Sequence, residues 1–182
     1  MAISNAFKFA NNILTNGGYD AADLVGAAGG GITEADQWRI TTALTGTGGI
    51  ITANWERADT NSPGMIGTGM TQSSGRFTFP STGIYLVNFG SYVTATATRD
   101  YAGAYIMVST DGGSNFSVAL EMFGSVNVIN AYDQLFGSLL LDVTNTTNIK
   151  VEFNISASGS TTYDGATGNN RTYATFIRLG DT

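Results

Sequence analysis

The chain of 182 residues has no cysteine and no histidine. No disulfide can form, no zinc site of the Cys/His kind can be built, and no Ser-His-Asp or Cys-His nucleophile can be assembled. Charge is also scarce: 12% of residues are Asp, Glu, Lys or Arg, against roughly 25% in an ordinary soluble domain. The only lysines are Lys8 and Lys150, the arginines are scattered, and the net charge is −6. A phosphate backbone is held by clustered Lys and Arg, so nucleic acid is not expected as a partner. No stretch approaches the ~18 apolar residues of a membrane span, so no membrane partner is expected either. The opening Met1–Phe9 lacks a basic segment followed by an apolar run. With the absence of cysteine, this points to synthesis in a reducing cytosol.

What remains for function is shape, hydroxyls, amides, aromatics and carboxylates. The first 35 residues differ from the rest. Ile3, Phe7, Ala10 and Leu14 recur at helical spacing, Ser4 or Asn5 supplies a cap, and Asn16-Gly17-Gly18 supplies a stop. One short amphipathic helix over about residues 5–14 is expected, too short to be stable in water without a surface to lie against. Gly26–Gly31 then reads as a flexible tether by composition. Residues 1–35 are therefore taken as a docking arm, with Ile3, Phe7, Phe9, Ile13 and Leu14 as its contact residues. Residues 36–182 form the body.

The body alternates strand and turn. Strands are expected over 37–44, 49–57, 76–79, 83–95, 101–110, 115–122, 134–141, 148–157 and 171–179. Asp111-Gly112-Gly113-Ser114 is a hairpin signal, and Ser158–Asn170 reads as a long loop. With about eight to ten evenly spaced strands and no helical pattern between them, the body is all-β. A jelly-roll β-sandwich is the natural architecture.

The segment Gly75-Arg76-Phe77-Thr78-Phe79-Pro80-Ser81-Thr82-Gly83-Ile84-Tyr85-Leu86-Val87-Asn88-Phe89 resembles the Gly-x-Phe-x-x-Pro-x-x-Gly-x-Tyr-x-x-x-Phe signature of the complement globular-head and tumour-necrosis-factor jelly-roll superfamily. Gly137–Asp142 with Asn148–Phe153 resembles that family's late hairpin, and Tyr173–Leu179 its last strand. The resemblance covers about residues 37–180. It implies a trimeric jelly roll with Phe77, Phe79, Pro80, Gly83, Tyr85 and Phe89 as the core signature. Phe77, Phe79, Tyr85 and Phe89 alternate, so one shared sheet face is expected for them. The chain has no collagen-like stem, no signal peptide and no cysteine, which sets it apart from secreted members. It looks like the phage structural proteins that carry this jelly roll.

Residues able to carry chemistry are few. Ser109-Thr110-Asp111-Gly112-Gly113-Ser114-Asn115-Phe116 resembles the Asp-box hairpin of sialidases, in which the Asp accepts backbone N–H bonds and is not catalytic. Acid pairs such as Glu34/Asp36 and Glu56/Asp59, together with Asp100, are read as solvated surface charge. Asp142 and Glu152 are expected to be structural. No Asp-x-Asp-x-Asp calcium loop is present, and no metal or cofactor is expected. Tyr19, Tyr101, Tyr132 and Tyr163 lie near turns or loops, where tyrosines stack on sugars or seal interfaces. Tyr101, Tyr132 and Tyr163 are the candidate receptor or glycan contacts.

The function expected from these observations is non-enzymatic. The chain reads as a virion structural protein of a phage, assembled in the host cytoplasm. It would be a homotrimer docked by its arms on the major capsid or tail protein, as a head decoration or a fibre. The alternative is an adhesive fibre tip that binds a receptor or host surface glycan. A glycan-degrading enzyme and a secreted signalling ligand rank below these.

Overall fold

The computed structural model describes residues 31–61 and 64–182. The chain divides into two units, Met1–Gly31 and Ile32–Thr182. The expected docking helix and its five contact residues lie outside the described residues.

The body is all-β. Its strands are β1 (Ala35–Ile40), β2 (Leu44–Ile50), β3 (Trp55–Arg57), β4 (Thr71–Ser73), β5 (Arg76–Thr78), β6 (Gly83–Thr94), β7 (Arg99–Ser109), β8 (Ser117–Val126), β9 (Asp133–Val143), β10 (Lys150–Tyr163) and β11 (Thr172–Gly180). They form two layers. One runs β3-β1-β11-β6-β9 and the other joins β2, β10, β7 and β8, with the β4–β5 hairpin on β10. The layers join where the end of β10 reaches β6, Thr162 opposite Thr94 and Tyr163 opposite Val93. Long-range antiparallel pairing of this kind, with short turns and no helix among the described residues, is the jelly-roll form of a β-sandwich.

Alternation fixes the core. In β6, Tyr85, Val87, Phe89 and Val93 point inward and are buried, while Ile84, Leu86, Asn88 and Tyr92 point outward. Phe77 is fully buried at the centre. Its ring lies 5.6 Å from Trp38, 5.1 Å from Trp55, 5.5 Å from Phe153 and 5.2 Å from Phe176. Such pairs add about 0.5–1.5 kcal/mol each beyond the burial of their area. Phe79 packs at 4.7 Å on Tyr85, whose hydroxyl lies 3.0 Å from Ser81 Oγ. The family-signature aromatics thus all enter the core, but not from one face. Phe77 belongs to β5 in the β10 layer, whereas Tyr85 and Phe89 belong to β6 in the opposite layer. The turn at Pro80–Gly83 carries the chain across, so alternation counted through it does not hold.

Two expected strands are interrupted, and several run longer than expected, β10 the most. Residues 37–44 leave the first layer after Ile40 and enter the second at Leu44. Residues 49–57 break at Asn54, whose φ of 65° is left-handed. The stretch read as loop, 158–170, is strand through Tyr163. After a bulge, Thr161, Thr162 and Tyr163 pair with Gly46, Thr45 and Leu44. β4 was not anticipated. It closes on β5 through Ser74 and Gly75, with φ of 51° and 82°, the two left-handed residues of a type I′ hairpin turn. A side chain at Gly75 would also collide with the Ile51 carbonyl.

The acids are less solvated than expected. Asp36, Glu152 and Asp164 are buried. Asp36 accepts from Arg57 Nε and Nη2 at 2.9 and 3.0 Å, Trp38 Nε1 at 2.8 Å, and the N–H groups of Gln37 and Met70 at 2.9 and 2.8 Å. Glu34 accepts from the Thr68 and Gly69 N–H groups at 2.9 Å. Glu56 and Asp59 both engage Arg39, at 2.8 and 2.7 Å, and Arg39 is itself buried. These acids are occupied in tying β1, the first strand of the body, to β3 and to the 66–70 segment.

Candidate functional site

The outward side of the first layer is built by strand register. One row crosses it as Ala35, Ile177, Leu86 and Leu140. The next is Gln37, Thr175, Asn88 and Ser138. A third is Arg39, Tyr173, Gly90 and Phe136. The middle row is stitched by uncharged hydrogen bonds, Gln37 Nε2 to Thr175 Oγ1 at 2.9 Å and Ser138 Oγ to Asn88 Oδ1 at 2.7 Å. The one cation of the three rows, Arg39, is spent sideways on Glu56 and Asp59, which cover it. Leu140 and Phe136 nevertheless stand 64% and 53% exposed. Gly90 lets the Tyr173 ring lie flat on the sheet, since a Cβ there would sit 2.8 Å from that ring. Burial, and secondarily the neighbouring Tyr92, push the Tyr173 phenol above its usual range. A broad, partly apolar face whose charges lie at its edges is a candidate interaction surface.

At one end of this face lies a cavity of about 500 Å³ lined by Tyr92, Tyr132, Asp133, Gln134, Asp164 and Arg171. Arg171 donates to Asp164 at 3.0 Å. Tyr132, in the β8–β9 connection, is 66% exposed. On the outward side of the other layer, Tyr101 and Tyr105 flank Phe123 edge-on at 5.9 and 5.6 Å.

The three candidate contact tyrosines therefore do not converge. Tyr132 opens onto the first layer's cavity, and Tyr101 belongs to the second layer's aromatic cluster. Tyr163 is fully buried and cannot offer its ring to a ligand. Its hydroxyl donates to the carbonyls of Ser156 and Gly103 at 2.6 and 3.1 Å, and burial pushes its phenol up to about 12. The extension of β10 draws it inside. The residues sequence reasoning missed are Leu86, Tyr92, Phe136, Leu140 and Tyr173. Their signal was available: each occupies an outward position of a strand whose alternate residues fill the core.

Asp111 holds its own turn. It accepts from Ser109 Oγ at 2.7 Å and from the Ser114 and Asn115 N–H groups at 3.1 and 2.9 Å. Donation by the Asn115 backbone and side chain, then by Ser109, lowers its carboxyl to about 2. Among the described residues no group of three or more acids converges to hold a metal ion.

No protein-family model and no curated protein matches the chain. Solved structures do. A TNF from S. frugiperda, Eiger, is 13% identical over 84% of this chain and 96% of its own, with a TM-score of 0.64. Murine APRIL at pH 5.0 is 14% identical over 80% of this chain and 98% of its own, with a TM-score of 0.56. Murine APRIL at pH 8.5 is 11% identical at the same coverage and TM-score. At these identities the likeness is one of fold: the chain has a TNF-like jelly roll.

Proposed function

We propose that this is a non-enzymatic structural protein of a phage particle, a homotrimer carried on the capsid or tail by its N-terminal arms. The observation that supports self-association best is the outward face of β1-β11-β6-β9. It is continuous across four strands, its middle row is already hydrogen-bonded, and its charges stand at the margins, Asp142 opposite Ile84 at one and Arg39 with Glu56 and Asp59 at the other, so its centre can be desolvated at little polar cost. Burial of Leu140, Phe136, Leu86 and Ile177 against sister copies supplies the driving force. A trimer also accounts for the sparse charge: surface that would need charge in a monomer is covered by its neighbours.

The arm reading rests on sequence. Residues 1–30 carry a short amphipathic pattern followed by a glycine tether. Three such arms on one body bind together, and avidity of this kind multiplies affinity by about 10²–10⁴ when all engage. The load would enter the body at Glu34–Asp36, where Glu34 clasps the Thr68 and Gly69 N–H groups and Asp36 holds Arg57, Trp38 and Met70. Deleting residues 1–30 is expected to leave a folded trimer that no longer co-sediments with particles. Retained co-sedimentation would refute docking through the arm.

A further inference from the structure

We infer that a cavity on the β10 layer, centred on Glu152, Arg76 and Lys150, is a binding site for a neutral saccharide. The cavity holds about 470 Å³ and is lined by Ile50, Thr52, Ser73, Ser74, Arg76, Thr78, Gly112, Lys150 and Glu152. That volume lies within the roughly 300–1,000 Å³ of small-molecule sites. It involves none of the strands β1, β11, β6 and β9 that form the self-association face, and the proposal stands without the virion reading.

The distinguishing feature is Glu152. Its side chain is 3% exposed, yet its nearest cation, Arg76 Nε, is 3.7 Å away. That is a long ion pair, wider than an ordinary hydrogen bond. An ionised carboxylate is an acceptor with about four sites to fill, and apart from the Arg76 ion pair Glu152 lines the cavity with its acceptor sites open to a ligand. Burial raises its pKa, partly opposed by the charge and the side-chain hydrogen bonding of Arg76. The groups around it are partly unspent. The Arg76 guanidinium lies over the Phe116 ring at 5.2 Å and is engaged otherwise by its ion pair with Glu152. Lys150 uses two of its three N–H groups on Thr78 Oγ1 at 3.0 Å and the Thr146 carbonyl at 2.8 Å. The hydroxyls of Thr52, Ser73 and Ser74 line the same space.

The charge pattern selects the ligand. A free anion meets the Glu152 carboxylate, and a free cation meets Arg76 and Lys150. A vicinal diol satisfies both: its hydroxyls donate to Glu152 and accept from Arg76 and Lys150. The remaining hydroxyls find Ser and Thr partners, and the C–H face of a sugar ring meets Ile50, which is partly exposed. The Asp-box hairpin supports this wall indirectly. It supplies Gly112 to the lining and Phe116 as the platform beneath Arg76.

The test is a titration of the full chain with lactose, maltose, cellobiose and N,N′-diacetylchitobiose, and with sialyllactose, followed through the backbone amides of Ser73, Ser74 and Gly112. At least one neutral disaccharide is expected to shift these amides saturably, and sialyllactose is expected to bind no more tightly than lactose. Glu152→Gln is expected to weaken binding by about tenfold or more, the loss of a hydrogen bond to a charged acceptor. The same substitution should leave the urea midpoint unchanged or raise it, because it removes a buried charge whose ion pair to Arg76 is long and half exposed. Arg76→Gln, at an exposed position, should weaken binding with no change in stability. The proposal is overturned if no neutral sugar shifts these amides, if binding survives both substitutions, if only the acidic sugar binds, or if Glu152→Gln lowers the midpoint and so reveals a purely structural carboxylate.

Discussion

Asp36→Asn probes the point at which the body begins, and its cost can be worked from five contacts. The Asp36 carboxylate receives five N–H groups: Arg57 Nε and the Gln37 N–H on one oxygen, Arg57 Nη2, Trp38 Nε1 and the Met70 N–H on the other. Asparagine has nearly the same shape but must place an NH₂ where one oxygen stood. In the better of its two orientations, two donors face that NH₂ and lose their acceptor. Each unsatisfied donor costs about 1–3 kcal/mol, and breaking a buried ion pair costs about 3–5 kcal/mol. Arg57 is partly exposed and can turn to water, so its share is discounted. A net loss of about 3 kcal/mol results, or about 6–12 °C in Tm for a domain of this size. The assay is urea unfolding at one fixed protomer concentration, since association contributes to stability in any oligomer. A loss under about 1 kcal/mol would refute the view that this carboxylate holds β1 to β3 and to the Met70 segment.

Other outcomes follow from the same geometry. Phe136→Asp should leave the fold of one chain intact, because the ring is half exposed, and should dissociate the oligomer. Losing roughly 100 Å² of apolar burial costs about 2.5 kcal/mol per protomer before charge repulsion is counted, and sedimentation velocity reads the change; an unaltered assembly would show that this face is not the contact. Tyr163 has a folded-state pKa near 12, above the usual 10.0, so its neutral form stabilises the fold fully below about pH 10, and that contribution disappears as pH rises through 12. Tyr163→Phe should remove the last-titrating phenol from an ultraviolet alkaline titration and cost about 1 kcal/mol at neutral pH; an unchanged late titration would refute the assignment.

Much of the fold was legible because β-strands advertise themselves by alternation. Tyr85, Val87, Phe89 and Val93 mark the inward side of β6 without any coordinates. The errors arose where the local pattern was overruled by pairing partners far along the chain. Thr161-Thr162-Tyr163 looked like the end of a polar loop, and only the strand at Leu44–Gly46 makes it strand. β4 is three residues long and carries no period to read. Phe77 and Phe89 fell into different layers because the Pro80–Gly83 turn resets the alternation. The charged groups were harder still. Nothing local says that Arg39 is covered by two acids some 20 residues away, or that Glu152 sits beneath Arg76. The face proposed for association was legible in part: Leu86, Tyr92, Phe136 and Leu140 are large apolar residues at positions that alternation assigns to the outside.

The most direct test of the assembly account is the native mass of the purified full chain at micromolar concentration, by sedimentation equilibrium. A homotrimer predicts three times the 19.0 kDa of one chain, reduced toward a single-chain mass by Phe136→Asp. A wild-type chain that sediments at 19.0 kDa would contradict it.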